Sequence, residues 1–210
     1  EKELEGLIQE NKRLQLHIER AQWMARFASL VERGNTYMRQ VLERYLFDPQ
    51  LQEKLRFGPA YQGVASELLV KKALVKNGIF VLHARPELDA ACGVDLLGYK
   101  DTNAGRAYFA IQVKTLPRGE EFTFQEINKD FLHELRIKPN QSREESNLLE
   151  SADSCFNAAR SMTILSGKHY RPIIAIVPPL RAIRGIIDLS SFSPKPPLLD
   201  KWREKVLTII

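Results

Sequence analysis

Two short stretches of this chain carry side chains that together could bind a metal ion and a phosphate group. Asp95 lies near the start of a predicted strand that begins at Gly93. Gln112 and Lys114 lie at the end of the next predicted strand. The segment DTNAG between them is rich in turn-forming residues, so the two strands are expected to form a β-hairpin. Because side chains alternate between faces along a strand, Gln112 and Lys114 share one face.

The register of this hairpin decides whether the acidic residue joins that face. If the chain folds back about Asn103, Asp95 lies opposite either Ile111 or Gln112. The second register gathers a carboxylate, an amide oxygen and an ammonium group on one face and leaves the neighbouring apolar side chains on the other. Such a set of groups suits a divalent cation together with a phosphate.

An acid followed by (E/Q)xK on a β-hairpin resembles the PD-(D/E)xK nuclease superfamily. In several of its branches, including Mrr-like enzymes and TnsA-type endonuclease subunits, glutamine replaces the glutamate, as Gln112 does here. Many branches also carry a glutamate on the helix before the sheet, and Glu67 occupies that place in a predicted helix. The resemblance covers residues 57–178, with Val94 where the family name has proline.

The resemblance implies hydrolysis of DNA phosphodiester bonds with Mg²⁺ or Mn²⁺ as the cofactor. Asp95 would be the central metal ligand, and the Gln112 amide oxygen and the Val113 carbonyl would complete the inner set. Glu67 would bind the same ion through water or hold a second ion. Lys114 would orient the attacking water and offset charge in the transition state. Because an amide oxygen is uncharged, metal binding is expected to be weaker than with ExK.

Other interpretations of these residues stay open. Glu87 or Asp89, in the predicted loop before the acidic strand, is an alternative additional ligand. The catalytic pattern itself also has an ordinary interpretation, in which Asp95 is a strand-start acid, Lys114 a solvated strand end and Glu67 an exposed helix residue.

The N-terminal segment carries an apolar seam with alternating spacings of three and four residues. The seam positions are Leu4, Leu7, Asn11, Leu14, Ile18, Ala21, Ala25 and Ala28. This spacing in a highly charged segment predicts a coiled coil, in which a lone Asn at an a position fixes the register. A single long helix packed on its own domain would carry the same stripe, and the alanines leave antiparallel or four-helix packing open.

The expected fold class is therefore α/β, a restriction-endonuclease-like core of helix, mixed central sheet and helix, preceded by an α-helical coiled coil. The division along the chain is an oligomerisation arm (1–47), a linker (48–60), a nuclease-like domain (61–190), and a proline-rich link with a C-terminal helix (191–210).

Beyond the hairpin, the pattern predicts further elements of the core. These are a strand over 122–127, a helix over 144–162, a buried central strand over 172–177 and a last edge strand over 184–189.

The formal charge of +5, from 31 basic and 26 acidic residues, is mild and does not by itself establish nucleic-acid binding. Its distribution places Lys71, Lys72, Arg85 and Arg118 where they could contact a phosphate backbone. An ordinary solvated helix face is the alternative for the lysines.

Several classes of function are not supported by the sequence. Cys92 and Cys155 have no spacing typical of a zinc site or a disulfide, and they fit small buried residues in a reducing cytosol. No glycine-rich loop precedes a lysine as in a P-loop, and no serine-hydrolase motif is present. The longest apolar run is too short to span a bilayer, so we expect a cytoplasmic protein without a membrane partner.

The function expected from the sequence is thus a metal-dependent DNA endonuclease of bacterial restriction or phage defence. Its expected partners are DNA, one or more further copies joined through the N-terminal helix, and possible further subunits of a defence system. The alternative is a catalytically silent nuclease-like subunit that binds nucleic acid or acts as a scaffold. An assembly protein that contacts only other proteins also stays open.

Overall fold

The structure, a computed structural model, describes residues 2–47, 58–116, 121–138, 141–179 and 193–208, together with residues 182, 185, 187 and 188. The helices are α1 (Lys2–Glu32), α2 (Thr36–Phe47), α3 (Gly58–Lys76), α4 (Pro86–Cys92), α5 (Lys129–Ile137), α6 (Arg143–Ser166) and α7 (Pro196–Leu207). The strands are β1 (Phe80–His83), β2 (Leu96–Thr102), β3 (Gly105–Thr115), β4 (Thr123–Glu126), β5 (Tyr170–Val177), β6 (Ile187–Asp188) and β7 (Ser193–Pro194). The fold is mixed α/β, as the sequence predicts.

A five-stranded mixed sheet with the order β1-β2-β3-β5-β4 forms the centre of the fold. Strands β3 and β5 run parallel, and the other neighbours in this sheet are antiparallel. The predicted strands at 122–127 and 172–177 correspond to β4 and β5. The second of these lies between two other strands, as its continuous apolar run indicates.

Helices cover both faces of the sheet because side chains alternate along its strands. On one face Phe109 and Ile111 of β3 pack in a core with Leu68 and Leu69 of α3 and with Trp202 of α7. On the other face, a second core is formed by α5 and α6 against the sheet. Its fully buried members are Val94, Ala110, Ala152, Cys155 and Ile174.

Helix α6 has clear stop and start signals. The Ser142 hydroxyl accepts a hydrogen bond from the Glu145 backbone N–H at 3.2 Å, and the Glu145 carboxylate accepts one from the Ser142 N–H at 3.0 Å. This capping box satisfies two backbone groups at the N-terminus. Gly167, in the left-handed conformation, ends the helix a few residues later than the expected end at Met162.

The two halves of α1 lie in different environments. Phe27, Ala28 and Val31 of its C-terminal half are buried in the same core as α3. Leu7 and Leu14 of its N-terminal half are 59% and 40% exposed. The alanines of the apolar seam thus face the protein's own domain, as in the single-helix interpretation, and Leu7 and Leu14 remain on the surface.

Other elements also differ from expectation. Residues 58–60 of the predicted linker belong to α3, because proline is well accommodated in the first turn of a helix; the rest of that linker lies outside the described residues. Of the predicted edge strand at 184–189, residues 187 and 188 pair with β7 in a separate two-stranded sheet, and most of the others are not described. Helix α5 is an element that the pattern did not predict.

None of the helices within the described ranges is long and apolar enough to cross a membrane.

Candidate active site

Asp95 lies between helix α4 and strand β2. Gly93 follows α4 with φ +61°, and its N–H donates to the Asp89 carbonyl at 2.9 Å, so this residue caps the helix. The strand that was predicted to begin at Gly93 begins at Leu96. The Asp95 N–H nevertheless donates to the Ile111 carbonyl at 2.9 Å, so Asp95 is tied to β3 just before the regular ladder begins.

The observed register gathers the predicted residues. Leu96 pairs with Ile111, so Asp95 is beside Gln112, as in the second of the two registers considered. One oxygen of Asp95, Oδ2, accepts hydrogen bonds from Gln112 Nε2 at 2.6 Å and from the Val113 N–H at 2.5 Å. Asp95 and Gln112 are only 8% and 4% exposed. The hairpin therefore holds an acid and an amide in a buried contact.

The Gln112 amide presents its nitrogen, and not its oxygen, to the acid. The Gln112 oxygen Oε1 is buried without a hydrogen-bond partner among the described residues. It points at Gly93, where an added Cβ would lie 2.8 Å away. An NH₂ group facing a carboxylate is favourable by itself, whereas a metal ion would need the amide oxygen on that side. A half-turn of the amide exchanges the two atoms.

Glu67 of α3, which is buried, and Asp89 of α4, which is half-buried, complete a group of three carboxyls with Asp95. Burial, together with the negative charge of Asp89, raises the pKa of Glu67 to about 8, and the positive charge of Lys114 opposes this rise. Burial likewise raises the pKa of Asp95 well above its usual range, together with the charges of Glu67 and Asp89. The Val113 N–H and Lys114 act in the opposite direction. The four predicted catalytic residues thus interact in one place.

Asp89 belongs to this group, whereas the exposed Glu87 does not. Burial raises the pKa of Asp89, while a hydrogen bond from Asp95 and the charge of Lys114 lower it. The sequence predicts a loop before the acidic strand, but in the structure Pro86 begins a helix there and Gly93 caps its end. This pairing of an N-terminal proline with a C-terminal glycine is the sequence signal that would have placed Asp89 beside Asp95.

Asp89 is thus one of the two alternative ligands that the sequence offered, whereas His83 is a residue of the site that the sequence did not indicate. Its Nδ1 lies 3.6 Å from Glu67 Oε2, and its Nε2 lies 3.8 Å from Glu32 Oε2. Burial, with the nearby charge of Lys71, lowers the pKa of His83 to about 4. The imidazole is therefore neutral at pH 7, and we treat these distances as polar contacts, not as ion pairs.

The predicted DNA-binding residues have different environments. Lys71 Nζ lies 2.9 Å from Glu32 Oε1, so an ion pair ties this lysine to α1. Lys72 is partly buried, and burial followed by the charge of Arg39 lowers its pKa. Arg85 is exposed just before α4, and Arg118 lies outside the described residues. The three described residues thus lie in different environments, and their contact with DNA stays a prediction.

Helix α1 forms a wall of the cavity above the carboxyls. The lining residues are Ala21, Met24, Ala25, Glu67, His83, Ala84, Pro86, Asp89 and Asp95. The cavity has a volume of about 10 Å³, which is room for about one water molecule.

The donor chemistry of this site fits a hard divalent cation. Glu67, Asp89 and Asp95 provide carboxylate oxygens, the ligands that Mg²⁺ and Mn²⁺ prefer, and burial raises the pKa of all three. The orphaned Gln112 oxygen adds one neutral donor. Among the described residues, however, no three His, Cys, Asp or Glu side chains converge closely enough to hold a metal.

Comparison with known proteins gives no match to any family model, curated protein or solved structure.

Proposed function

We propose that this protein is a Mg²⁺- or Mn²⁺-dependent endonuclease of the PD-(D/E)xK type that hydrolyses phosphodiester bonds in DNA. The observation that carries the proposal is the contact between Asp95 and the Gln112–Val113 segment on neighbouring strands. Glu67 and Lys114 both act electrostatically on that buried carboxyl, so all four motif residues share one site. The helix–sheet–helix layers around the hairpin also suit a restriction-endonuclease-like core.

Each residue has a role that follows from its chemistry. Asp95, Glu67 and Asp89 would hold the cation, with Gln112 contributing its amide oxygen after rotation and Val113 its carbonyl. When bound, the cation would neutralise phosphate charge and lower the pKa of a bound water. Lys114 is charged and half-buried, so it can hold the attacking water and stabilise negative charge on the phosphate oxygens.

Assembly through α1 is part of the proposal. Leu7 and Leu14 leave an apolar seam on the exposed half of this helix, and a coiled coil with a second copy would cover it. A dimer would supply two active sites, one for each strand of a duplex. Bacterial restriction or phage defence in the cytoplasm is the proposed setting, because glutamine variants resembling Mrr-like enzymes concentrate there; further defence subunits are possible partners.

One observation favours a second candidate, a nuclease-like subunit that binds nucleic acid without cleaving it. Both hydrogen bonds to Asp95 Oδ2 come from the protein, so the acid is satisfied without a cation. A silent subunit of this kind would bind DNA without added metal and would not depend on Asp95.

The two candidates are separated by cleavage of supercoiled and linear DNA with Mg²⁺ or Mn²⁺. Asp95→Asn keeps the size of the side chain and an oxygen acceptor for the Val113 N–H, and Lys114→Ala removes the ammonium group. The nuclease is expected to nick or linearise DNA, to lose activity in both variants and to be blocked by EDTA. Salt-dependent DNA binding without metal, unchanged in Asp95→Asn and without cleavage in any sample, would favour the silent subunit.

A further inference from the structure

The N-terminal helix closes the site against any substrate. Ala21, Met24 and Ala25 of α1 line the cavity that contains the carboxyls of Glu67 and Asp95. Its volume of about 10 Å³ matches about one water molecule. A metal ion and a phosphodiester group cannot occupy that space together. The arrangement in the structure is therefore incompatible with substrate binding at these carboxyls.

We propose that residues 21–25 of α1 form an inhibitory cover over the active site, and that substrate enters only when this stretch separates from α3 and α4. The inference rests on the proposed nuclease function and adds its regulation. Small side chains at Ala21 and Ala25 allow α1 to come close to the acidic group, which bulkier residues would prevent.

Specific contacts hold the cover closed. Met24 reaches across to α3, where its Cε would lie 3.1 Å from a Cβ added at Gly63. A glycine at this position therefore leaves room for Met24. Farther along α1, Glu32 pairs with Lys71 of α3 at 2.9 Å and approaches His83 at 3.8 Å. These contacts join α1 to the helix and the strand that also support Glu67.

The cover is held less firmly than the elements that carry Glu67 and Asp95. Leu68 and Leu69, beside Glu67, are fully buried, and Asp95 is fixed to β3 by backbone and side-chain hydrogen bonds. In α1, by contrast, the residues buried in the core, such as Phe27 and Val31, come after the cover in the chain. The half of the helix before the cover lies on the surface, where Leu16 is 65% exposed. The α1 helix is thus anchored at one end of the cover, and a partner bound to its exposed half could shift it.

A wedge at the cover tests the proposal directly. Ala25→Trp introduces a side chain that the cavity cannot hold, whereas Gln22→Trp places the same side chain on the exposed face of α1. Mn²⁺ affinity is measured from the free-ion electron paramagnetic resonance signal, and DNA cleavage is measured in parallel. We expect Ala25→Trp to raise both by at least ~10-fold over Gln22→Trp. Circular dichroism melting confirms that both variants are folded.

A lock gives an independent test if the wedge variant does not fold. Met24→Cys combined with Gly63→Cys, in a Cys92→Ser background, places two thiols on opposite sides of the closed contact, and the loss of free thiols on oxidation shows that they have formed a disulfide. Oxidation is expected to reduce Mn²⁺ affinity and cleavage at least ~10-fold, and dithiothreitol is expected to restore them. A Met24→Cys single variant controls for oxidation itself.

The two readouts separate the cover from the nuclease. If the wedge raises Mn²⁺ affinity but no variant cleaves DNA, the cover stands and the nuclease is excluded. If Ala25→Trp and Gln22→Trp bind Mn²⁺ and cleave DNA equally, the cover is overturned. The cover is also overturned if oxidation of the double cysteine variant leaves both DNA cleavage and Mn²⁺ affinity unchanged.

Discussion

The hydroxyl groups of Ser66 and Thr115 lie 2.7 Å apart and join α3 to β3. Ser66 is fully buried and directly precedes Glu67, and Thr115 directly follows Lys114. This hydrogen bond therefore ties the helix that carries Glu67 directly to the strand that carries Lys114. We expect the spacing of these two proposed catalytic side chains to depend on it.

Ser66→Ala should lower both stability and DNA cleavage. Removing the hydroxyl leaves Thr115 without this partner, and we expect a loss of about 1 kcal/mol in the free energy of unfolding, measured with urea. Cleavage should fall because α3 can shift relative to β3. Ser151→Ala is the matched control, since its hydroxyl bonds only the Asn147 carbonyl on an exposed turn of α6. Equal losses in the two variants would contradict the structural role of Ser66.

Gly93→Ala should destabilise the protein more than the equivalent change at another helix end. Gly93 and Gly167 both cap helices with positive φ, +61° and +68°. An added Cβ at Gly93 would lie 2.8 Å from Gln112 Oε1, whereas at Gly167 it meets open space. Both variants incur the cost of a left-handed alanine, about 1 kcal/mol. We expect Gly93→Ala to lose at least ~1 kcal/mol more in urea unfolding, and equal losses would show that the contact with Gln112 is unimportant.

Gln112→Glu should strengthen metal binding and weaken the metal-free protein. The new carboxylate removes the amide that donates to Asp95 at 2.6 Å and places a fourth acid in the group. We expect the free energy of unfolding in EDTA to fall by about 1–3 kcal/mol and Mn²⁺ affinity to rise. Gln125→Glu makes the same change at an exposed position of β4. A rise in metal-free stability, or Mn²⁺ affinity equal to that of the control, would exclude a metal site at Gln112.

Ionisation of Glu67 should destabilise the metal-free protein as pH rises from about 4.5 to about 8. Unfolded Glu67 ionises near its ordinary pKa of 4.5, whereas in the folded protein its pKa is about 8, so between these values the folded state holds the additional proton. The stabilising contribution of Glu67 is therefore highest below the lower value, decreases through the window and levels off above the upper one. Asp95, whose pKa is also raised, acts in the same direction, whereas His83, whose pKa is lowered from 6.5 to about 4, acts in the opposite direction between those two values.

Glu67→Gln isolates this contribution. The variant should show a weaker pH dependence and, at pH 8 in EDTA, an unfolding free energy higher by on the order of 3 kcal/mol. Urea titrations at pH 5, 6.5 and 8 measure the difference. Added Mn²⁺ should then stabilise the natural protein at pH 8 more than it stabilises the variant. Parallel pH profiles for the two proteins would show that Glu67 is not buried as described.

Local patterns in the sequence are sufficient to predict the β2–β3 hairpin and the place of Asp95 beside it. The turn residues between β2 and β3, with the alternation of side chains, restricted Asp95 to two registers, and the structure has the one beside Gln112. The apolar run of β5 likewise indicated an interior strand. Such elements are predictable because the interactions that define them lie close together in the chain.

The features that the sequence did not reveal depend on contacts between residues far apart in the chain, or on helix signals carried by a single residue. The approach of Met24 to Gly63 joins two helices that are well separated in sequence, so no local pattern indicates it. Helix α5 does carry one local signal, its N-cap: the Asn128 side chain accepts a hydrogen bond from the Phe131 N–H at 2.8 Å. The orientation of the Gln112 amide is set only by its surroundings.

The parallel pairing of β3 with β5 also governs the order in which this protein can fold. Lys114 pairs with Ile176, which is synthesised long after the hairpin has left the ribosome. Pairing between such distant segments is slow because a large loop must close first. A nascent chain that ends before β5 leaves one edge of β3 without its strand partner, so the lysine and the acid gain their final support only near the end of synthesis.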